Sequence, residues 1–416
     1  MTLPLLLGWI GAVLLLQLAT ALGLALWRRA RSSPAAAVPA GPPAESAAAA
    51  DAAWAGWRDF RVARREFADA ASTQCSFVLE PVDGLPLPPF KPGQFLTFQL
   101  PAVRVPDTPE GTQRSLTRCY SLSAAPDPAH YRITVKRVPA PAGLPGVPAG
   151  ASSNHFHDHV QAGDVLRVRA PAGHFHLDMA SDLPVVLVGG GIGITPMLSM
   201  LGWLQTHQPH RPVHLFHGVR CGHEQAYAGW LRAQAAAHPA LRLHAVYTQP
   251  ASTDEAGRDY QHAGRVDIEL LRRTLPHGRH QFYVCGPPAM MDTLVPALHA
   301  WGVPPQDVHF EAFGPASVKG LTAGAATSPA ATATTVAFRR SGRHIAWDGS
   351  DATLLDFAER HGVVVDSGCR SGACGACETR VLEGDVRYAG APDHTPAAGH
   401  CLLCVGRPAG ALTLDA

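Results

Sequence analysis

Charge in excess of either sign is missing from this chain of 416 residues, whose formal net charge is only +1. No basic block interleaved with aromatics is present, and nothing in the charge balance points to nucleic acid. A secreted disulfide framework is also missing. Nine cysteines occur, but five fall between 369 and 404 and the others are scattered. Such clustering favours a metal or cluster site in a reducing compartment. No internal repeat is evident, and no Ser/His/Asp arrangement or carboxylate pair stands in motif context.

From Leu3 to Leu26 charge is absent altogether: LPLLLGWIGAVLLLQLATALGLAL. The run is long enough to span a bilayer. Trp27 stands at the expected interface, followed by Arg28, Arg29 and Arg31, so the C-terminal side is expected in the cytoplasm. The reading is a single transmembrane helix over 3–27 in the inner membrane, with the remaining domains cytoplasmic. The alternative, a cleaved signal peptide, is disfavoured because the n-region lacks a basic residue and the apolar run is long for an h-region. The span carries no His, so it cannot hold a haem through paired histidines.

Residues 28–53 are Ala- and Pro-rich and read as a linker, as does 314–332. Three domains are expected beyond the first linker. Over 54–180, short β-like runs broken by Gly and Pro (RDFRVARREF, SFVLEPV, GQFLTFQL, YRITVKRV, DVLRVRAP) predict an antiparallel sheet closed as a barrel or a sandwich, of which the barrel is the expectation. Over 181–313, strand and helix signals alternate, which predicts a parallel sheet with helices on both faces. Over 333–416, two short strands, TTVAFRR and RHIAW, precede a helix, SDATLLDFAERHG, with Ser350 or Asp351 at its start and Gly362 after its end.

The chemistry-bearing stretches are few. VVLVGGGIGITPML joins a strand to a helix through Gly189, Gly190, Gly191 and Gly193. Glycines let backbone approach a pyrophosphate, helix N–H groups then face the charge, and Pro196 suits the first helical turn. The spacing is not that of G-x-G-x-x-G. YVCGPPAMM is a second strand ending in a glycine turn, opening at the same sheet edge. Arg118-Cys119-Tyr120-Ser121 could hold a phosphate and face a flat ring. Gly150-Ala151-Ser152-Ser153 turns into the helical-looking HFHDHV, a second anion-binding candidate. The 22 histidines, including HFHDH and HFH, read as compositional bias and not as a metal site.

In order, R-x-Y-S, G-x-x-S, GGGIGITPM, CGPPAMM and FEAF resemble the ferredoxin–NADP reductase superfamily. The runs WAGWRDFRVARREF and SSNHFHDHVQAGDVLRVRAPAGHF look most like the reductase modules of flavohaemoglobins and of hybrid-cluster protein reductases. The resemblance covers roughly 54–313. It implies that Arg118 binds flavin phosphates, Tyr120 packs on the isoalloxazine and Ser121 lies near its N5. Ser153 would hold the pyrophosphate. Gly190, Gly191, Ile192 and Thr195 would line the nicotinamide nucleotide's pyrophosphate groove. Cys285, Gly286 and Pro287 would sit by the nicotinamide, with Glu311 and Phe313 bordering the flavin. Cys285 is read as positional and not nucleophilic, because alignment is what hydride transfer asks of the protein. GASSN and PAGHF favour FAD over FMN. Arg220 could reach a 2′-phosphate, but no further basic residue follows at once, and no acidic residue marks a ribose diol at the end of that strand; the balance leans to NADH, with NADPH left open.

Cys369-x4-Cys374-x2-Cys377 has the plant-type [2Fe–2S] spacing, with a fourth Cys expected downstream. Cys401 and Cys404 are both candidates. A zinc reading would pair Cys374/Cys377 with Cys401/Cys404 and leave Cys369 spare. Gly368, Gly372 and Gly375 oppose it, since they let the loop wrap a cluster and direct N–H groups at sulfur. The tail resembles plant-type ferredoxin domains of the β-grasp type fused behind reductases. Their last ligand stands in an L-x-C-x-x-R-P context that matches LLCVGRP, which implies Cys404 as ligand and Cys401 as a nearby buried thiol. Arg370 would add positive charge beside the cluster.

The expectation is a membrane-tethered, multidomain electron-transfer reductase. Electrons would pass from NAD(P)H to FAD to [2Fe–2S] and on to a protein acceptor, such as an oxygenase, a desaturase or a hybrid-cluster-type protein. Two other classes stand beside it: a terminal reductase acting on a small acceptor (ferric chelate, quinone or oxygen), and a redox sensor without turnover.

Overall fold

The computed structural model of the chain describes residues 53–103, 114–140, 149–313 and 334–416. The expected transmembrane helix over 3–27 and both linkers, save residue 53, lie outside the described residues. Among the described residues no helix is long and apolar enough to cross a membrane.

Six antiparallel strands form the first sheet: β1 (Arg58–Phe67), β2 (Gln74–Pro81), β3 (Phe95–Val103), β4 (Arg114–Ser121), β5 (Tyr131–Lys136) and β6 (Val165–Ala172), in the order β4-β3-β6-β1-β2-β5. Its two ends meet at a bridge between Leu122 and Ile133, so the sheet curls into the expected barrel. Alternation drives the closure: Phe60, Phe77, Leu96, Phe98, Ile133 and Val168 point inward and are fully buried. Helix α1 (Ala151–Asp158) caps the barrel with Phe156, which meets Phe77 and Phe98 edge-on.

The second sheet is wholly parallel. Its strands are β7 (Val185–Gly190), β8 (Val213–Val219), β9 (Leu241–Tyr247), β10 (His262–Ala263), β11 (Gln281–Gly286) and β12 (Val308–Ala312), in the order β10-β9-β8-β7-β11-β12. Strands β7 and β11 are buried end to end, as strands covered on both faces must be. Helices α2 (Ile194–His207) and α3 (Ala228–Ala237) cover one face. Helices α4 (Ile268–Thr274) and α5 (Pro288–Ala300) cover the other. Order reverses at β7, so the cleft lies outside the carboxyl ends of β7, β8 and β11, where open α/β sheets bind ligands.

In the third domain, β13 (Thr334–Phe338) and β14 (Arg343–Trp347) form the expected hairpin. The sheet continues through β19 (Leu412–Leu414), β15 (Glu378–Glu383) and β17 (His400–Leu402); β16 (Val386–Tyr388) and β18 (Gly406–Pro408) pair separately. Helix α6 (Leu354–Arg360) starts later than the sequence suggests. Thr353 is its N-cap, accepting from the Asp356 N–H at 3.2 Å and donating to Oδ2 of Asp356 at 2.8 Å. This reciprocal pair outcompetes Ser350 and Asp351 because it satisfies an otherwise free helix N–H. Asp351 instead pairs with Arg360 at 2.6 Å.

Candidate electron-transfer site

A cleft of about 620 Å3 opens between barrel and nucleotide sheet. Arg118, Tyr120, Ser121, Ser153, Ile192, Thr195, Glu311 and Phe313 all line it, as does Cys369. The Tyr120 ring meets Phe98 and Phe156 edge-on, and its hydroxyl bonds Oγ of Ser152 at 2.7 Å. Desolvation pushes the phenol up to about 12, so Tyr120 offers a neutral flat ring to the cleft. The Ser153 hydroxyl is committed: it donates to the Gly150 carbonyl at 3.1 Å and accepts from the Val138 N–H at 3.2 Å. The first turn of α1 has no side-chain cap, leaving its backbone N–H groups as anion donors. Arg118 donates to the carbonyl of Ser367 in the third domain at 3.0 Å, so one of its nitrogens serves the domain contact.

At the far wall the Ser121 hydroxyl donates to Oε2 of Glu311 at 3.5 Å. Glu311 is half-exposed to the cleft, but its carboxyl end is enclosed. Desolvation first, then the neighbouring Cys369, push it up to about 8, against the pull of Ser121. Cys285 lies opposite Glu311 in the β11–β12 register and is fully buried. Burial, with Glu311 beside it, holds its thiol well above the usual range. Burial of this kind disfavours the thiolate form that a nucleophilic cysteine needs.

A second cleft, of about 580 Å3, lies across the carboxyl ends of the strands and is lined by Gly190, Gly191 and Pro287. The expected groove residues therefore divide: Gly190 and Gly191 face the nucleotide cleft, whereas Ile192 and Thr195 face the flavin cleft. Gly191 has φ +53° with open space where a side chain would stand. A Cβ on Gly190 would meet Cδ of Pro287 at 2.6 Å, and one on Gly286 would meet Cα of Gly190 at 3.1 Å. The two glycine turns thus touch, and bare backbone faces the cleft as a dinucleotide requires.

Three residues here escape motif reading. Lys136 lines both clefts. Glu224 stands 3.9 Å from Nζ of Lys136 and pairs with Arg220, the residue expected to reach a 2′-phosphate. His217 is fully buried, and its Nε2 bonds the Gly191 carbonyl at 3.1 Å beneath the turn. HGVR, which holds His217 and Arg220, was the only available signal.

The cysteine loop has the chemistry of a sulfide cluster cradle. Cys369 Sγ accepts N–H groups from Ser371, Ala373 and Cys374 at 3.3–3.4 Å. Cys374 Sγ accepts from Cys369 and Ala376, and Cys377 Sγ accepts from Cys404 at 3.4 Å. Seldom do neutral thiols gather so many backbone donors; anionic sulfurs do. Backbone N–H to sulfur bonds tie the four into two pairs, Cys369 with Cys374 and Cys377 with Cys404. Two thiolates for each of two irons is the [2Fe–2S] ligand set. Cys401 is buried in β17. Among the described residues no three His, Cys, Asp or Glu side chains converge on a single ion. Arg370 turns back to Glu359 and Asp356 of α6, so its charge is balanced locally.

Comparison with known proteins agrees with this geometry. The oxidoreductase NAD-binding domain family matches residues 187–295, and the 2Fe-2S iron-sulfur cluster binding domain family matches 337–409. The flavohem-like FAD/NAD-binding domain of nitric oxide dioxygenase from Vibrio cholerae is 31% identical, with TM-score 0.52, over 62% of this chain and 99% of that one. This chain belongs to the flavohem-like FAD/NAD-binding reductases. A flavohemoprotein of Halalkalibacterium halodurans is 37% identical over 62% of this chain. The chain spans 60% of the length of that relative. An intact type IV self-sufficient cytochrome P450 monooxygenase shares the fold at 24% identity, TM-score 0.53, covering 86% of this chain and 41% of that one. This flavohem-like reductase is thus an oxidoreductase with sites for NADH, FAD and a [2Fe–2S] cluster, the last carried on its own C-terminal domain.

Proposed function

We propose that the protein is a membrane-tethered, NADH-dependent reductase that delivers electrons through its [2Fe–2S] centre to a protein acceptor. One observation carries the reading. Cys369, a cluster ligand, lines the same cleft as Ser121, Glu311 and Phe313. Entry and outlet of the electron path therefore meet at one place. FAD, when bound, takes a hydride from NADH and releases electrons singly, the conversion that a one-electron centre requires.

The chain supplies binding and alignment. Arg118 and the backbone N–H groups of the first turn of α1, that of Ser153 among them, would hold the flavin's phosphates, and Tyr120 would set the plane of its ring. Gly190 and Gly191 would admit the nucleotide's pyrophosphate, with Pro287 and the buried Cys285 walling off water. Glu311 borders the ring, with its Oε2 accepting from Ser121. Arg220 is already paired, and Glu224 presents a carboxylate of the kind that bonds a ribose diol, which favours NADH. The acceptor would be an oxygenase, a desaturase or a hybrid-cluster-type protein. The uncharged run at 3–26 and the arginines after it support an inner-membrane tether with cytoplasmic domains.

Anaerobic NADH addition tests the reading. Flavin absorbance should bleach, a reduced-cluster EPR signal should follow, and ferricyanide or cytochrome c should restore both. A flavin that stays oxidised would sink it. For the tether, the full chain should sediment with membranes and a chain lacking residues 1–30 should not.

A further inference from the structure

The barrel sheet contributes more than a flavin wall. Register places Cys119, Thr97 and Arg169 in one row across β4, β3 and β6. That row faces the cluster loop. Cys119 packs with Phe95 and Ala172 against Ala373 and Cys374. Its sulfur thus lies on the Cys374 side of the barrel wall. A Cβ on Gly368 would stand 2.8 Å from Cys374 Sγ and 3.2 Å from Cys119 Sγ, so glycine at 368 is what lets the two sulfurs approach. Thr97 Oγ1 lies 3.5 Å from Cys119 Sγ on the far side.

At the other end of the row, Arg169 donates from Nη1 to the Cys374 carbonyl at 2.8 Å. Its guanidinium stacks 4.6 Å from the Trp57 ring centre. It also lies over Gly375, where a Cβ would meet Nη1 at 2.7 Å. Arg169 Nε is buried without a partner.

We propose that Cys119 and Arg169, both on the flavin-side barrel, act on the [2Fe–2S] cluster through its ligand Cys374 and raise its reduction potential while the third domain is docked. The argument is electrostatic. With iron bound, Cys374 sulfur has no proton to give, so the Cys119 S–H packed beside it is the donor and the ligand sulfur the acceptor. Thr97 O–H can then donate to Cys119, polarising the chain. One-electron reduction adds one negative charge spread over the cluster sulfurs. A hydrogen bond to a ligand sulfur and a nearby guanidinium each stabilise that added charge. A third domain that leaves the barrel loses both contacts and becomes the stronger reductant. The docked cluster is thereby poised to accept an electron and the undocked one to pass it on.

The inference rests on the reading of Cys369, Cys374, Cys377 and Cys404 as cluster ligands. The test is an EPR-monitored redox titration of the whole protein, loaded with FAD and cluster, comparing wild type with Cys119→Ala, Cys119→Ser and Arg169→Gln. Cys119→Ala and Arg169→Gln should each lower the reduced-to-oxidised ratio at fixed potential about tenfold, ~59 mV for a one-electron couple. Cys119→Ser, which keeps an O–H donor, should recover part of that shift. In Arg169→Gln the FAD potential should stay put. If Cys119→Ala fails to load cluster, Cys119→Ser and Arg169→Gln decide, and an unshifted cluster potential in both overturns the proposal. A wild type with no cluster signal overturns the ligand reading, and the proposal with it; a normal signal with unshifted variants overturns the proposal alone.

Discussion

A Cβ placed on Gly193 would stand 2.1 Å from the carbonyl oxygen of Cys285. The two glycine turns of the nucleotide sheet are thus locked together through backbone. Neither carbonyl nor helix start can yield by turning a side chain. Gly193→Ala should cost up to about 3 kcal/mol, the upper end for overpacking. Thermal melts should show the loss, and NADH-driven flavin bleaching should slow at least about tenfold. The cluster's visible spectrum should survive, because its loop lies on another domain.

Cys285 is fully buried, and its thiol sits well above the ordinary range because of burial and Glu311. Iodoacetamide at pH 8 should leave it unlabelled in the folded protein, as read by peptide mass spectrometry. Cys285→Ala should slow flavin reduction about tenfold, ~1.4 kcal/mol, through lost alignment. Rapid labelling of native Cys285 would show the positional account to be wrong.

Arg220 and Glu224 share a salt bridge at the mouth of the nucleotide cleft. Glu224→Gln releases the guanidinium. The kcat/KM ratio of NADPH to NADH should then rise about tenfold, ~1.4 kcal/mol. Arg220→Ala in the same background should remove the gain.

Buried histidines make the nucleotide domain acid-sensitive. His214, His217 and His244 are each held at about 4, chiefly by desolvation. Folded pKa values lie below the unfolded value of about 6.5, so between the two the unfolded chain binds more protons. Stability is full above pH 6.5 and falls as pH drops towards 4, by at most about 1.4 kcal/mol per unit for each histidine. Urea midpoints from pH 7 to 4.5 should fall. His244→Asn should flatten the slope, and an unchanged slope would refute the assignment.

Cys404→Ser should abolish the cluster's visible absorption while FAD remains bound. Cys401→Ser should keep it. The contrast follows from Cys377, whose sulfur accepts the Cys404 N–H.

Much of this protein was legible in one dimension. Alternation in FLTFQL and unbroken burial in VVLVGG set the sheet types, because period and β-branching decide which faces must leave water. Cys369, Cys374 and Cys377 declared a cluster by spacing alone, since a loop that short brings its thiols together whatever surrounds it. Local patterns were weakest where long-range partners decide. Thr353 won the α6 cap through Asp356, and the turn residues split, Gly190 and Gly191 to one cleft and Ile192 and Thr195 to the other. Arg118 and Arg370 looked free in sequence but found Ser367, Glu359 and Asp356. His217 under Gly191 and Cys119 against Cys374 are set by sheet register and domain docking, and Glu224 on Arg220 by the turn between them. Composition, periodicity and ligand spacing are properties of the chain; pairing of charges, choice of hydrogen-bond partner and the meeting of cluster with flavin cleft exist only once the chain has folded.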